Sequence, residues 1–148
     1  MNFSICIYIC IQIIQNSAAR IITKAKKDEH ISPYLPKLQW LPVKFRINFK
    51  IIILTFKCIY DEAPSYLKEL ISIKELPTED DGVTTRSMEA LSLNIPKAGT
   101  KHYKDRAFST AAPVLWNSLY PDIRNIQNIV SFKKAVKTFL FKQFLSEM

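Results

Sequence analysis

One long apolar segment without an internal turn signal dominates the chain, running from Pro42 to Tyr60. Its length of roughly 18 residues exceeds that of an ordinary β-strand, which favours an α-helix starting at the proline. The β-branched residues 51–53 are also compatible with a buried strand, because periodicity alone does not assign a short apolar run. The segment predicts a chain that is mostly α-helical, with this helix as its strongest element.

Polar side chains of this segment lie on two narrow edges of a helical wheel. The two sets are Arg46, Lys50 and Lys57 on one edge, and Lys44, Asn48 and Thr55 on the opposite edge. Apolar side chains fill both flanks between these edges. The pattern predicts a helix that is sandwiched between neighbouring elements and exposes only two thin polar edges.

Further helical patterns stand on both sides of the central segment. A first helix is predicted over about residues 5–24, and a short one follows Ser32, which is predicted as its N-cap. Another is predicted over about residues 105–119 with a bend at Pro113, and Ser131 is predicted to cap the last helix. Because 48% of the residues are hydrophobic, the chain can bury a core, and these elements predict a small helical domain.

A short β-hairpin is predicted near residues 91–103. Apolar and polar side chains alternate over residues 91–95, and residues 101–103 can return as a second strand. Residues 72–90 show no sustained period and predict a mobile loop. The neighbouring acids Asp80 and Asp81 in this loop lack flanking apolar strands, so we interpret them as solvated rather than as a metal site.

The charge balance favours polyanionic partners. The chain has 21 Lys or Arg against 13 Asp or Glu, a formal net charge of +8, which is typical of proteins that bind RNA, DNA or acidic lipid. The candidate phosphate contacts are Arg46, Lys50, Lys57, Lys101, Lys104, Arg106, Lys133, Lys134 and Lys137. These side chains would contact phosphates without reading bases. The alternative is that they form ordinary solvated faces.

The remaining composition argues against several kinds of site. With only two glycines, Gly82 and Gly99, the chain has no glycine-rich loop for phosphates. Its three cysteines lack paired spacing, which argues against a disulfide framework and favours a reducing intracellular compartment, nuclear or cytoplasmic. His30 and His102 stand far apart and away from any nucleophile motif. No metal, cofactor or catalytic residue is therefore predicted.

The N-terminal segment carries an ambiguous targeting signal. An apolar run over residues 5–14 precedes small residues at 17–19, as in a secretory signal peptide. No Lys or Arg precedes the run, and it is too short to span a bilayer. We interpret it as a core helix in which Cys6 and Cys10 are buried, with the signal peptide as the alternative. A membrane partner is not expected.

Four sequence blocks carry a resemblance to a known family. The first two are residues 15–22, which read Gln-Asn-Ser-Ala-Ala-Arg-Ile-Ile, and residues 38–50, which contain Trp40-Leu41-Pro42-Val43. The third is residues 63–67, and the fourth runs from Tyr103 through Leu115-Trp116-Asn117-Ser118-Leu119 to Ser131-Phe132-Lys133. In this order the blocks resemble the C-terminal region of jockey-like LINE (non-LTR) retrotransposon reverse transcriptases.

The resemblance covers about residues 10–145 and departs from the family pattern at Tyr120, where the family usually has proline. It implies a helical domain that follows the polymerase thumb and helps to hold template RNA and target DNA during target-primed reverse transcription. Residues 1–9 would be an unmatched leader that continues into the first helix, and residues 10–148 a single post-polymerase domain. None of the family's catalytic residues maps onto this chain, so no enzymatic activity is expected.

Two functional hypotheses follow. The first is a non-catalytic C-terminal fragment of such a reverse transcriptase, with residual non-specific binding to the RNA or DNA backbone and with the missing upstream polymerase domain as a further partner. The second is an inert relic, or a structural or interaction domain, with no selected activity. The signature of the second is exposed apolar surface, for which the first helix, Trp40 and Trp116 are candidates.

Overall fold

The computed structural model describes residues 3–74, 91–96 and 107–147, with side chains described from residue 7 onward. These residues are mostly helical, which confirms the predicted fold class. The helices are α1 (Phe3–Thr23), α2 (Tyr34–Lys37), α3 (Val43–Ile59), α4 (Ser65–Lys68), α5 (Phe108–Asn117), α6 (Pro121–Arg124) and α7 (Ile129–Ser146). The long apolar segment is helical from Val43 to Ile59, so the alternative of a buried strand at residues 51–53 is wrong.

The predicted β-hairpin near residues 91–103 is not seen. Within the described residues, Leu93 instead forms an isolated antiparallel bridge with Ile73. Lys74 N donates to Ser92 O, and Asn94 N donates to Ser72 O, each at 2.9 Å. The predicted returning strand at 101–103 lies outside the described residues, as do residues 75–90 of the predicted mobile loop.

The chain divides into two compact units. The first unit comprises Met1–Asn48 and Thr138–Met148, and the second comprises Phe49–Lys137. Helices α3 and α7 each contribute residues to both units. The units differ in what holds their elements in place.

In the first unit, side-chain amides join α1 to the start of α3. Gln15 Nε2 donates to Leu41 O at 2.8 Å, and Gln12 Oε1 accepts from Val43 N at 2.9 Å. Val43 is the first residue of α3, so Gln12 caps an amide that would otherwise have no helical partner. Phe45 and Phe144 of the same unit pack against each other, with ring centroids 5.8 Å apart. The core of this unit is therefore part polar.

In the second unit, stacked aromatic rings form the centre of the core. Phe132 of α7 lies between two rings, with centroid distances of 4.4 Å to Phe56 and 5.7 Å to Trp116. All three side chains are fully buried, together with Val136 of α7. Burial of several large apolar side chains is worth about 1.5–3 kcal/mol each, so this cluster is the main hydrophobic contribution to the unit.

Three helix ends adopt a left-handed conformation without glycine. Lys24, Gln39 and Asp61 have φ angles of 53°, 55° and 61°. At the end of α2, Trp40 N donates to Leu35 O at 2.9 Å, which is the bond that closes a Schellman motif. Because a side chain in this region costs roughly 1–2 kcal/mol, these ends carry backbone strain that glycine would relieve.

Both predicted serine caps are wrong. Helix α2 begins at Tyr34, and Pro33 occupies its N-cap position without a side-chain hydrogen bond. The last helix is capped by Asn128, whose Oδ1 accepts from Val130 N at 2.9 Å and from Ser131 N at 3.2 Å. Ser131 thus lies inside the first turn, because an asparagine three residues earlier already satisfies the free amides.

Candidate nucleic-acid interface

The basic edge predicted on α3 is only partly free. Arg46 and Lys50 are exposed, whereas Lys57 is half-buried near the end of the helix. Two ion pairs of the described residues, Lys44 with Glu147 and Lys68 with Asp61, do not use this edge. Arg46 and Lys50 therefore present their charges to solvent, where a phosphate can reach them.

The rest of α3 corrects the prediction of a helix with two thin polar edges. Thr55, assigned to the second edge, is fully buried and donates its hydroxyl to Ile51 O at 2.9 Å. Ile47 and Leu54 are exposed beside the basic edge. The first edge is therefore part of a broader exposed face that is mixed basic and apolar. The second edge is exposed at Lys44 but buried at Thr55, because an intrahelical hydrogen bond lets threonine pack in a core.

The basic face predicted on α7 is present at the surface. Lys133, Lys134 and Lys137 are all exposed. The opposite side of the same helix is the buried stripe that includes Phe132 and Val136. Since packing of this stripe orients α7, the three lysines lie on a side of the helix that faces away from the core.

The remaining candidate phosphate contacts, Lys101, Lys104 and Arg106, lie outside the described residues, as does His102. The structure therefore places six of the predicted side chains, on α3 and α7. Of these six, Lys57 is the one that is not exposed.

A buried arginine takes a structural role instead of a phosphate-binding one. Arg124 Nη1 donates to Leu91 O at 3.2 Å and to Ser92 Oγ at 2.9 Å. Burial lowers the pKa of its guanidinium from the ordinary value. Its Nε has no hydrogen-bond partner within the described residues. The sequence offered no signal for this role except that Arg124 ends a short helix opened by Pro121.

The Trp-Asn pair of the last sequence block holds the same segment. Trp116 Nε1 donates to Leu91 O at 2.9 Å. The Asn117 side chain accepts from Leu93 N at 3.0 Å and donates to Leu93 O at 2.8 Å, as a neighbouring strand would. Leu93 therefore has the Asn117 side chain as its hydrogen-bond partner on one edge, and residues 72–74 pair with the neighbouring backbone on the other edge.

Exposed apolar surface is found on α1 but not at Trp116. The seven isoleucines of the described part of α1 are between 46 and 79% exposed, whereas Trp116 is fully buried and Trp40 half-buried. Cys10 is exposed as well, so its predicted burial is wrong. The reason is that Gln12 and Gln15 occupy the packed side of α1 and turn the apolar side outward.

The first unit also contains an open cleft of about 590 Å³. Its lining includes His30, Ser32 and the Lys44–Glu147 ion pair above Phe45 and Phe144. Among the described residues, no hydrogen bond joins Ser32 to His30, which is the contact that activates a serine nucleophile.

Cys58 is a buried free cysteine near the end of α3. Burial raises the pKa of the Cys58 thiol despite the opposing charge of Lys68, so the thiol is kept in its unreactive form. In the part of the chain that is described, no group of three or more His, Cys, Asp or Glu side chains is arranged to hold a metal ion. None of the described helices has the length and apolarity needed to cross a membrane.

Comparisons with protein-family models, with curated proteins and with solved structures find no match to this chain. The features of this chain that bear on its function are the basic faces of α3 and α7, the exposed isoleucines of α1 and the sequence resemblance.

Proposed function

We propose that this chain is a non-catalytic domain from the C-terminal region of a LINE-type reverse transcriptase, and that it binds RNA or DNA through the phosphate backbone without sequence preference. The observation that carries the proposal is the exposure of Lys133, Lys134 and Lys137 on α7, with Arg46 and Lys50 exposed on α3. The resemblance of the four sequence blocks supports the family. The net charge of +8 supports the polyanionic partner.

Backbone binding of this kind has a measurable dependence on salt. Each neutralised phosphate contributes about −0.9 to the slope of log K against log salt on duplex DNA. If four side chains neutralise phosphates, raising salt from about 50 to about 200 mM weakens binding by roughly 100-fold. An affinity that does not change over this range would contradict the proposal.

The decisive experiment compares two sides of α7. We expect Lys133→Gln combined with Lys137→Gln to reduce the salt slope by about 2 and to weaken binding to a mixed-sequence RNA roughly tenfold. Lys142→Gln, an exposed lysine on the other side of the same helix, is the matched control and should leave both unchanged. Fluorescence anisotropy with labelled RNA and DNA oligonucleotides measures these effects. If the two variants lose RNA affinity equally, the basic face of α7 does not bind phosphates and is an ordinary solvated surface.

A second candidate function, an interaction domain without nucleic-acid affinity, is favoured by the isoleucines exposed on α1. Contiguous apolar surface of this kind marks a protein or membrane contact, or a liability to aggregate. Under this candidate the upstream polymerase domain implied by the resemblance is one partner. Two results together would favour the interaction domain over nucleic-acid binding. The native chain would bind an apolar dye and lose this binding when the isoleucines are replaced with lysine, and it would show no affinity for RNA.

A further inference from the structure

Helix α1 packs through its polar side and exposes its apolar side. Gln15 and Ala19 are buried, while Ile14 and Ile21 are 68 and 79% exposed. Gln12 and Gln15 bind backbone atoms at Leu41 and Val43, so this orientation is held by hydrogen bonds and not by the isoleucines. The exposed apolar side has no partner among the described residues of its unit.

Four exposed isoleucines and the half-buried Ala18 fall on a seam with the spacing of a helix pair. Ile7, Ile11, Ile14, Ala18 and Ile21 recur at alternating steps of four and three residues, and we call this set the isoleucine stripe. Apolar residues at this spacing face a second helix in coiled coils. The stripe runs for about 21 Å along α1, which is two heptads.

The side of α1 that carries the stripe can pair with a reversed copy of itself. In an antiparallel pair with its axis at Ile14, Ile7 lies opposite Ile21, Ile14 lies opposite its own copy, and Ile11 lies opposite the small residue Ser17. The small exposed residue Cys10 then lies opposite Ala18, which allows close approach of the two helices. A two-fold interface requires this kind of self-complementary pattern.

The charges next to α1 also select the antiparallel arrangement. Residues 7–19 include no charged side chain, and Arg20, the one charged side chain within the span of the stripe, is half-buried and donates to Glu29 O at 3.2 Å. Two stripes can therefore meet without burying a charge between them. Lys24, Lys26 and Lys27 follow the helix and are exposed. A parallel pair would bring two such clusters together, whereas an antiparallel pair separates them by roughly 30 Å, well beyond the screening length.

From these observations we infer that the isoleucine stripe is covered by a second copy of this chain, bound antiparallel across a two-fold axis at Ile14. The inference goes beyond the proposed nucleic-acid binding and does not depend on it. Because the seam is only two heptads long, the dimer is weak and forms at high protein concentration.

The first test places a charge on the axis. Ile14→Lys brings two ammonium groups together and should weaken dimerisation at least tenfold, as measured by analytical ultracentrifugation up to about 0.5 mM protein. Ile13→Lys is the matched control, since Ile13 is also exposed but lies off the stripe. Unchanged helical circular dichroism shows that both variants fold. Equal effects of the two substitutions would overturn the inference.

The second test determines the orientation by cysteine pairing in a Cys6→Ser background. The antiparallel pair predicts an intermolecular disulfide in Ala18→Cys, between position 18 and the native Cys10 of the other copy. Neither Cys10 by itself nor Ala18→Cys with Cys10→Ser should cross-link, because equivalent positions are about 12 Å apart along the pair, beyond disulfide reach. Cross-linking through Cys10 by itself would show a parallel pair and contradict the inference.

Two further outcomes would overturn it outright. A chain that stays monomeric over the whole concentration range has no such dimer. A monomer that instead sediments with anionic phosphatidylserine vesicles, and loses this with Ile14→Lys, assigns the stripe to a lipid surface. Neither outcome bears on the salt dependence of RNA binding, so failure of the dimer and failure of the proposed function are distinguishable.

Discussion

The two longest described helices, α1 and α7, bury opposite kinds of side chain. Helix α7 buries Phe132 and Val136 and exposes lysines. Helix α1 buries Gln15 and exposes isoleucines. Both have side chains at helical spacing, so their periodicity is equally clear. The difference shows that periodicity identifies a helix and its faces, whereas the available hydrogen-bond partners decide which face is packed.

The largest effect is expected where the aromatic core meets α7. Phe132→Ala removes a fully buried ring that stacks on Phe56 at 4.4 Å, and should lower the free energy of unfolding by about 3–5 kcal/mol. Val130→Ala, at an exposed position on the same helix, should change it by less than about 0.5 kcal/mol. Urea unfolding followed by circular dichroism measures both. If the two substitutions change the free energy of unfolding by similar amounts, the side of α7 that carries Phe132 is not the packed side.

The polar packing of α1 predicts that a more apolar side chain at a buried position lowers the free energy of unfolding, by less than the loss of Phe132 does. Gln15→Leu makes the buried side of α1 more apolar, yet leaves Leu41 O without its donor and should lower the free energy of unfolding by about 1–3 kcal/mol. Ile14→Gln, at the exposed neighbouring position, should change it by less than about 0.5 kcal/mol. Urea unfolding at protein concentrations below dimer formation separates the two. A gain in stability from Gln15→Leu would contradict the conclusion that α1, unlike α7, is held in place by hydrogen bonds of its polar side.

The end of α1 gives a third prediction, in the stabilising direction. Lys24 has a φ of 53°, where glycine avoids a steric clash, so Lys24→Gly should raise the free energy of unfolding by about 0.5–1 kcal/mol. Lys26→Gly removes the same charge at a position without positive φ and should be neutral or destabilising. Thermal unfolding resolves this difference. A loss of stability in Lys24→Gly would indicate that the lysine side chain contributes more than the backbone strain costs.

The smallest effect concerns pH. Tyr34 Oη donates to Glu29 Oε2 at 2.7 Å, and this hydrogen bond to the neighbouring carboxylate raises the pKa of Tyr34 above its ordinary value. A raised pKa in the folded state means that the contact stabilises the fold below the unfolded pKa and is lost as pH rises through the folded pKa. We therefore expect stability to decline above about pH 10 more in the native chain than in Tyr34→Phe.

The control for this pH effect is Tyr66→Phe, which removes an exposed tyrosine. It should leave the alkaline decline as it is in the native chain, because an exposed phenol has the same environment in both states. Urea midpoints at pH 7 and pH 10.5 give the comparison. If both variants remove the decline equally, the contact with Glu29 is not its cause.

Particular residues show how far sequence patterns reach in this chain. The long apolar segment predicted α3, and the stripe through Phe132 and Val136 predicted the packed side of α7, because both depend on neighbours three or four residues away. The exposure of Lys133, Lys134 and Lys137 followed from that stripe. The pattern failed at Thr55, whose buried hydroxyl bonds within its own helix, and at Ser131, where Asn128 already caps the helix.

The contacts that could not be predicted join distant parts of the chain. Gln15 reaches across 26 residues to Leu41, and Trp116 across 25 residues to Leu91. No local pattern indicates such a partner, because a side-chain amide or an indole nitrogen bonds whichever backbone group the fold brings near it. Gln15, Leu41 and Trp116 lie in the sequence blocks that carry the resemblance, whereas Leu91 lies outside them, so these contacts give those three residues a structural role.

The sequence by itself therefore determined the helices and the basic faces of α3 and α7, since helix formation and the spacing of charges are local properties. Tertiary structure alone decided that α1 turns its isoleucines outward and that residues 91–94 pair with residues 72–74. The physical reason is that a buried polar group must find a partner, and that partner is supplied by a remote segment.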